Sequence, residues 1–232
     1  MTKQKCLVLG ASGLIGSAVV QEFGEHGFEV WQSSRSKESP SARQVKLVGN
    51  ADSDSEKIRS LPKFESVVWA QGTNTNDSIL DFSEDLFSSI LHANLGFVVS
   101  TLGSLLKHEK IESGARLCVV SSIWQEAARD NKLSYMVSKS AISGLVKSVA
   151  IDLAGRNILV NAVLPGVLDS PMTRRMLDAD QIARVEGRTG FGRLISPTEV
   201  AKAILFLCSA QNLCITGQSI VADLGFTNVR QV

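Results

Sequence analysis

The sequence predicts an α/β fold, a doubly wound parallel sheet of about seven strands with helices on both faces. Short runs of β-branched and apolar residues alternate with longer segments of helical period, which is the pattern of repeated βαβ units. The length agrees, because 232 residues with 44% hydrophobic content suit one compact domain with a sizeable core. We therefore expect residues 1–232 to form a single domain.

Seven apolar or β-branched runs are the predicted strands. They lie at 5–9, 29–33, 45–48, 66–70, 116–121, 158–164 and 219–223. Helical periodicity predicts helices near 14–26, 54–60, 79–107, 134–154 and 197–209, the last with Pro197 at its first position. Such sheets bind ligands beyond the carboxyl ends of their strands, so the residues after each run are the functional candidates.

Charge and composition restrict the kinds of partner. The 24 basic and 23 acidic residues are mixed along the chain, so nothing predicts binding to nucleic acid or to an anionic membrane. No apolar stretch approaches the ~18 residues of a membrane span. The four cysteines form no Cys-x-x-Cys pair, and the three histidines lack metal-ligand spacing. We expect a soluble, cytoplasmic protein that acts on a small molecule and binds no metal.

The segment GASGLIG follows the first predicted strand and starts the first predicted helix. Its glycines allow a tight turn and a close approach to a pyrophosphate, whose charge attracts the free amides of the helix N-terminus. A glycine-rich turn into a packed helix shows the same pattern, but the position between strand and helix favours dinucleotide binding. The predicted contacts are Gly10, Ser12, Gly13, Leu14, Ile15 and Gly16.

The residues after the second strand indicate which dinucleotide is bound. A carboxylate at this place accepts the ribose 2′-hydroxyl in NAD-binding proteins, but the segment VWQSSRSK has no acidic residue. A guanidinium matches a 2′-phosphate in geometry and charge. We therefore predict NADP(H), with Ser34 and Arg35 as contacts. The alternative is that Arg35 only solvates a loop and that the cofactor is NAD(H).

The segment SYMVSK contains the only tyrosine of the chain, Tyr135, four residues before Lys139. Ser134 is a suitable N-cap, so the two side chains are expected on one helix face, one turn apart. A free phenol has a pKa near ~10, and a neighbouring ammonium lowers that value by stabilising the phenolate. Ser122 ends the fifth predicted strand, 13 residues before Tyr135. Tyr135 is therefore a candidate general acid and base.

The ordered motifs resemble those of short-chain dehydrogenases/reductases over essentially the whole chain. They are GASGLIG, AQG (70–72), HANLG (92–96), VVSS (119–122), YMVSK (135–139), NAVLPGVLDSPM (161–172), PTEVAKAILFL (197–207) and TGQSIVADLG (216–225). The resemblance implies a three-layer αβα Rossmann fold, a substrate lid at about 170–190 and a homodimer or homotetramer. Two motifs depart from the family. Leu9 replaces the usual Thr before GASGLIG, and WAQG replaces the usual Asn-Asn-Ala-Gly.

The resemblance also implies roles for single residues. Ser122 would position the substrate oxygen, Tyr135 would transfer the proton, and Lys139 would lower the Tyr135 pKa and bond the nicotinamide ribose. Asn94 would hold a water that links Lys139 to solvent. Tyr135 and Lys139 thus also count as cofactor contacts, and the remaining contacts implied are Ala70, Gly72, Pro165, Gly166, Leu168 and Ser170.

These observations predict an NADP(H)-dependent oxidoreductase that transfers a hydride between the nicotinamide and a carbonyl or secondary alcohol. The expected substrates are those of 3-oxoacyl reductases or of small-ketone reductases. Two alternatives stay open: an NAD-dependent alcohol dehydrogenase, and a non-catalytic sensor or scaffold that binds NADP(H). Three arginines of the expected lid, Arg174, Arg175 and Arg184, are interpreted as a solvated helix face rather than a site for an acidic carrier.

Overall fold

The computed structural model describes residues 3–34 and 43–229. Its strands are β1 (Lys5–Leu9), β2 (Glu29–Ser33), β3 (Gln44–Val45), β4 (Phe64–Trp69), β5 (Ile111–Val120), β6 (Leu159–Pro165) and β7 (Ser219–Ala222). They form one parallel sheet in the order β3-β2-β1-β4-β5-β6-β7. The predicted seven-stranded, doubly wound sheet is confirmed, and its strand order reverses direction between β1 and β4.

Helices cover both faces of the sheet. They are α1 (Leu14–Glu25), α2 (Ala51–Ser60), α3 (Glu84–Leu91), α4 (Phe97–Lys107), α5 (Leu133–Asp152), α6 (Pro171–Met176), α7 (Ala179–Glu186) and α8 (Pro197–Cys208). Helices α1 and α8 share one apolar core with the sheet, and α2, α4 and α5 share the other. The result is the three-layer αβα arrangement that the family resemblance implied.

Strand β1 shows how the sequence builds both cores. Its side chains alternate between the faces, so that Leu7 and Leu9 enter the core beneath α4 and α5. Cys6 and Val8 enter the core beneath α1 and α8, and all four side chains are fully buried. Burial on both faces explains why this strand is a continuous apolar run instead of an alternating one.

The third strand is shorter than predicted and the helix after it is longer. Only Gln44–Val45 pairs with β2, although residues 45–48 were expected to form the strand. The carboxylate of Asp54 accepts the backbone N–H groups of Val48, Gly49 and Asn50, which turns this segment away from the sheet. Asn50 then caps α2, which begins at Ala51 and not at residue 54.

The helix predicted at 79–107 is divided into several pieces. A short 3₁₀ turn (Ile79–Asp81) precedes α3, and a π-helical turn (His92–Gly96) joins α3 to α4. By its length and composition, the combined helix Glu84–Lys107 could cross a membrane. The sequence was not expected to contain such a segment. Helices in a protein core meet the same criteria, and α4 contributes buried side chains to the core that it shares with α2, α5 and the sheet.

The start of α5 differs from the prediction in its capping. The predicted N-cap, Ser134, lies inside the helix, and Lys132 occupies the cap position without a side-chain hydrogen bond to the helix. The carboxylate of Asp77 takes over the capping role by accepting the N–H and hydroxyl of Ser134. The ammonium of Lys132 is buried and donates to three oxygen atoms of residues 74–76. The loop after β4 therefore holds α5 in place.

The expected lid at 170–190 contains the two short helices α6 and α7, which the sequence analysis did not assign. Each begins at a polar N-cap, Ser170 for α6 and Asp178 for α7. Arg174 makes a salt bridge of 2.7 Å with Asp169 across the first turn of this segment. The Arg174 guanidinium therefore already has a carboxylate partner within the chain.

Candidate active site

The glycine-rich turn between β1 and α1 brings three chain segments into close contact. Gly10 has a φ of +80°, and a Cβ there would lie 2.5 Å from the backbone nitrogen of Gln71. A Cβ on Gly16 would overlap the carbonyl oxygen of Gly10. The carbonyl of Ser33 accepts the N–H groups of Gly10 and Ala11 at 2.9 and 3.1 Å. Only glycine permits this approach of β1 to the loop that follows β4.

A cleft of about 250 Å³ opens beside this turn, at the point where the strand order reverses. Doubly wound sheets bind dinucleotides at this position, with the phosphates against the helix N-terminus. Leu14, Ile15 and Gly16 lie in the first turn of α1 and do not line the cleft, and Arg35 lies outside the described residues. The predicted contacts that do line it are Gly10, Ser12, Gly13, Ser34, Ala70 and Gly72.

Gln71 also lines this cleft, and it was not among the predicted contacts. Both polar atoms of its side chain are buried and have no hydrogen-bond partner in the part of the chain that the structure describes. A buried amide without partners lowers the stability of the fold. The glycine turn and the cleft beside the N-terminus of α1 fit the phosphates of a dinucleotide. The only signal in the sequence was the departure of WAQG from the family motif.

The structure brings Ser122, Tyr135 and Lys139 together at the carboxyl end of β5. The side chain of Ser122 lies close enough to the Tyr135 phenol to lower its pKa. The Nζ atom of Lys139 lies 5.8 Å from the centre of the Tyr135 ring and donates to the carbonyl of Val120 at 3.0 Å. The neighbouring Ser121 instead donates to Oε1 of Gln125 at 2.8 Å, so it is turned away from the phenol.

Asn94 lies in the π-helical turn and is fully buried. Its Nδ2 donates to the carbonyl of Thr73 and to Oγ of Ser138, both at 2.9 Å, and its Oδ1 accepts the Thr73 N–H at 2.7 Å. A Cβ on Gly72 would lie 3.1 Å from Oδ1 of Asn94 and 3.5 Å from Nζ of Lys139. Asn94 thus ties the loop after β4 to α5, close to the lysine ammonium.

Burial shifts the pKa values of both ionisable groups towards the neutral form. Desolvation raises the pKa of Tyr135, and the Ser122 hydrogen bond and the charge of Arg129 offset only part of that rise. Desolvation also lowers the pKa of Lys139 to about 8. The Tyr135 pKa is therefore raised, not lowered as expected, because burial outweighs the groups that stabilise the phenolate.

The predicted nicotinamide contacts follow β6 in sequence. Pro165 ends the strand, and the N–H of Gly166 donates to the carbonyl of Ala222 at 2.9 Å. Leu168 forms an isolated bridge with Ile195. The hydroxyl of Ser170 accepts the Thr173 N–H at 2.9 Å as the N-cap of α6. This segment leads from the end of the sheet into the expected lid.

A second, larger cleft of about 1080 Å³ lies between the loop after Ser122 and the lid helix α7. Neither Ser122 nor Tyr135 lines it, but its wall begins at Trp124, two residues beyond Ser122. The Trp124 ring meets Phe226 edge-on at 6.1 Å, and the Arg129 guanidinium lies over it at 5.2 Å. Sequence reasoning missed this aromatic wall, because its members come from distant segments.

The cysteines and histidines of the described residues form no metal site, and the four cysteines are free thiols. Within residues 3–34 and 43–229, no group of three His, Cys, Asp or Glu side chains is arranged to hold a metal ion. Cys6, Cys118 and Cys208 are buried, and burial raises the pKa of the Cys6 and Cys208 thiols well above the usual value. The Cys6 and Cys208 thiols are therefore held in the unreactive, protonated form.

Comparison with known proteins agrees with this geometry. A family model described as enoyl-(acyl carrier protein) reductase matches residues 10–227. The 3-oxoacyl-(acyl-carrier-protein) reductase FabG of Thermotoga maritima is 27% identical over 95% of this chain and 96% of its own length. Cyclopentanol dehydrogenase of Comamonas sp. is 35% identical over 71% of this chain and 66% of its own length.

Two solved structures are similar in fold. A short-chain dehydrogenase family protein from Francisella tularensis has a TM-score of 0.87 and 24% identity, covering 97% of this chain and 99% of its own. ElxO with NADP bound has a TM-score of 0.83 and 21% identity, covering 97% and 99%. Since the family model matches residues 10–227 and the fold is similar to that of a short-chain dehydrogenase family protein, the chain belongs to the short-chain dehydrogenase/reductase family.

Proposed function

We propose that this protein is an NADP(H)-dependent oxidoreductase that interconverts a carbonyl compound and a secondary alcohol. The observation that carries the proposal is the Ser122 side chain beside the Tyr135 phenol, with the Lys139 ammonium 5.8 Å from the phenol ring. The Tyr135 phenol as an acid, the Ser122 hydroxyl and the Lys139 ammonium thus lie close together. Substrate reduction at a carbonyl needs this combination, because negative charge develops on its oxygen.

The family binds a nicotinamide cofactor, which supplies the hydride when it is bound. We propose that the cofactor is held by the glycine turn, by Ala70 and Gly72, and by the segment from Pro165 to Ser170. The choice of NADP(H) is supported by the absence of a carboxylate among residues 30–34, which end β2 and begin the loop after it. The contact from Arg35 stays a prediction.

The chain's own groups perform the proton chemistry in this proposal. The hydroxyls of Ser122 and Tyr135 both donate to the substrate carbonyl oxygen and hold it in place. As the carbonyl π bond breaks, the phenolic proton moves to that oxygen, which leaves an alcohol and a phenolate. Ser122 and the nearby Lys139 ammonium stabilise the phenolate until a solvent proton restores it. Positioned acid catalysis of this kind typically contributes ~10²–10⁴-fold to the rate.

The larger cleft is the proposed place for the rest of the substrate. Trp124 and Phe226 give it an aromatic wall. Its lining carries mixed charge, from Arg129, Arg184, Arg188, Glu126 and Asp130. The segment 170–190 would act as the lid, since α7 lines the cleft. The matched relatives include a 3-oxoacyl reductase and a cyclopentanol dehydrogenase, which supports β-ketoacyl thioesters and small cyclic ketones as the first candidates.

We further propose a single domain over residues 1–232 in a homodimer or homotetramer of a soluble, cytoplasmic protein. The exposed apolar side chains of α5, Val137 and Ile151, support an association through this helix. Sedimentation equilibrium measures the mass directly. A monomer at all concentrations would refute the assembly without affecting the proposed chemistry.

The experiment that tests the function follows the absorbance of reduced cofactor with NADPH or NADH against a panel of ketones, aldehydes and β-ketoacyl thioesters. Tyr135→Phe keeps the ring and removes the acid, so turnover should fall by at least ~10²-fold. Turnover within about threefold of wild type would refute the assigned role of Tyr135. NADPH binding without turnover on any substrate would instead support the sensor, and equal use of NADH would support the NAD-dependent alternative.

A further inference from the structure

The Arg129 guanidinium is a charged group of the larger cleft that the proposed proton chemistry does not use. It lies over the Trp124 ring, 5.2 Å from the ring centre, and the edge of this ring system meets Phe226 at 6.1 Å. All three residues line the cleft. The backbone N–H of Arg129 donates to Sδ of Met136 at 3.4 Å, which holds its loop against the first turns of α5. Arg129 is thus held beside the part of the helix that carries Tyr135.

The polar edge of this guanidinium is available to a ligand. Arg129 is exposed, and within residues 3–34 and 43–229 its side chain makes no salt bridge and no hydrogen bond. The guanidinium groups of Arg174 and Arg193, by contrast, are each paired with a carboxylate. Contact with a ring face leaves the in-plane N–H donors of a guanidinium unused. Those donors form a fork that matches two oxygen atoms of a carboxylate or a phosphate.

The charges near the reacting phenol indicate that an anion held by Arg129 would lie close to it. Burial raises the pKa of Tyr135, and Arg129 is the charged residue that lowers it. Neither of the carboxylates that line the cleft acts on this pKa, and they belong to Glu126 and Asp130. Burial lowers the pKa of Lys132, and the charge of Arg129 lowers it further, while Asp77 offsets part of this effect. Arg129 therefore lies near both the phenol and a second cation.

We propose that the substrate is a carbonyl compound that carries an oxyanion, a carboxylate or a phosphate, and that Arg129 binds this group. The inference rests on the proposed function and narrows its substrate class. The carbonyl oxygen lies at Ser122 and Tyr135, and the oxyanion accepts hydrogen bonds from the guanidinium fork. Trp124 holds the guanidinium in place and shields one of its faces from water. Arg129 is a determinant of specificity and takes no part in hydride or proton transfer.

The test compares pairs of ketones that differ in one charged group. The pairs are acetoacetate and its methyl ester, levulinate and its methyl ester, and dihydroxyacetone phosphate and dihydroxyacetone. Oxidation of NADPH gives kcat/KM for each compound, and Arg129→Gln removes the charge. Because this variant changes the pKa of Tyr135 for both members of a pair, the ratio within the pair isolates the contact with the anion. Arg59→Gln is the matched control, since Arg59 is exposed on α2 and lines neither cleft.

We expect the wild-type protein to prefer the charged member of at least one pair by about tenfold in kcat/KM. Arg129→Gln should bring this ratio to about one, mainly through a higher KM for the charged member. Arg129→Lys keeps the charge and loses the fork, so it should keep part of the preference. Arg59→Gln should leave the ratio unchanged. The pair with the largest ratio shows whether the bound oxyanion is a carboxylate or a phosphate.

Two kinetic results would overturn the inference. Equal kcat/KM for both members of every pair would show that no oxyanion is recognised, although the proposed oxidoreductase would stand. A preference that persists in Arg129→Gln would place the anion site at another residue.

Absence of turnover with every compound would instead count against the proposed function itself. Isothermal titration of the three anions into the protein with NADP⁺ then decides the inference without turnover. Binding that is lost in Arg129→Gln supports it, and binding that is absent or unchanged in this variant refutes it.

Discussion

Replacement of Lys139 by methionine should make the protein more stable and less active. Lys139 is buried, and desolvation lowers its pKa from 10.5 to about 8. This difference corresponds to about 3 kcal/mol of folding free energy at neutral pH, because each tenfold step in the proton equilibrium is worth about 1.4 kcal/mol. Methionine has a similar length and avoids the cost, but it loses the hydrogen bond to Val120, worth about 1 kcal/mol. The variant should therefore gain about 2 kcal/mol.

The pH dependence of this gain follows from the direction of the shift. The folded protein releases the Lys139 proton near pH 8 and the unfolded chain only near pH 10.5, so the unfolded state binds more protons between these values. The wild-type protein therefore recovers stability relative to Lys139→Met as the pH rises through this window. Above it, the lost hydrogen bond should leave the variant about 1 kcal/mol less stable.

Urea unfolding of wild type and Lys139→Met at about pH 7 and about pH 10 measures the difference, and Tm at neutral pH should rise by about 4–8 °C. Lys147→Met is the matched control, because Lys147 is exposed on the same helix and should show no such pH-dependent gain. Turnover should fall by at least ~10²-fold through loss of the cation beside the phenol. A Lys139→Met protein less stable than wild type at neutral pH would refute the reasoning.

Three further outcomes follow from the same contacts. Ser122→Ala should lower turnover by about 10²-fold while Ser121→Ala has little effect, because Ser122 acts on the Tyr135 phenol whereas the Ser121 hydroxyl donates to Gln125. Arg129→Gln should raise the pKa of Tyr135, so the alkaline fall of the reduction rate should move to higher pH. A thiol reagent should modify Cys214 in the native protein and leave the three buried cysteines unmodified until it unfolds.

Each of these outcomes has a result that contradicts it. Equal losses in the two serine variants would mean that strand-end packing, and not the bond to the phenol, governs turnover. An unchanged pH profile in Arg129→Gln, measured as kcat/KM, would show that the guanidinium does not act on Tyr135. Rapid native labelling of more than one thiol per chain would mean that the core opens readily.

The long-range organisation of the fold could be predicted well, and the irregular parts could not. The strands at 5–9 and 29–33 were predicted with their observed bounds, since buried parallel strands read as apolar runs between helical segments. The early end of β3 depends on Asp54, whose carboxylate collects three N–H groups from the preceding residues. The Asp54 side chain thus decides that residues 48–50 form a loop and not a strand, and the hydrophobic periodicity of the sequence does not reveal this contact.

In the candidate site, too, the local pattern could be predicted and the long-range contacts could not. The spacing of Tyr135 and Lys139 indicated one helix face, and the motifs indicated Ser122, so the grouping of these residues was foreseen. The capping of α5 was predicted wrongly, because the acceptor comes from Asp77, 57 residues away from Ser134. The local sequence favours Ser134 as the N-cap, but the buried Asp77 carboxylate accepts the free N–H group at the start of the helix instead.

The sequence by itself determined the parallel sheet, the glycine turn and the family, because apolar periodicity and motif order are local properties of the chain. Only the tertiary structure decided that Ser121 donates to Gln125, that the Gln71 amide is buried without a partner among the described residues, and that burial raises the Tyr135 pKa. Each of these depends on which distant groups surround a side chain. Desolvation and hydrogen-bond satisfaction are set by that packed environment, and neighbours in sequence do not specify it.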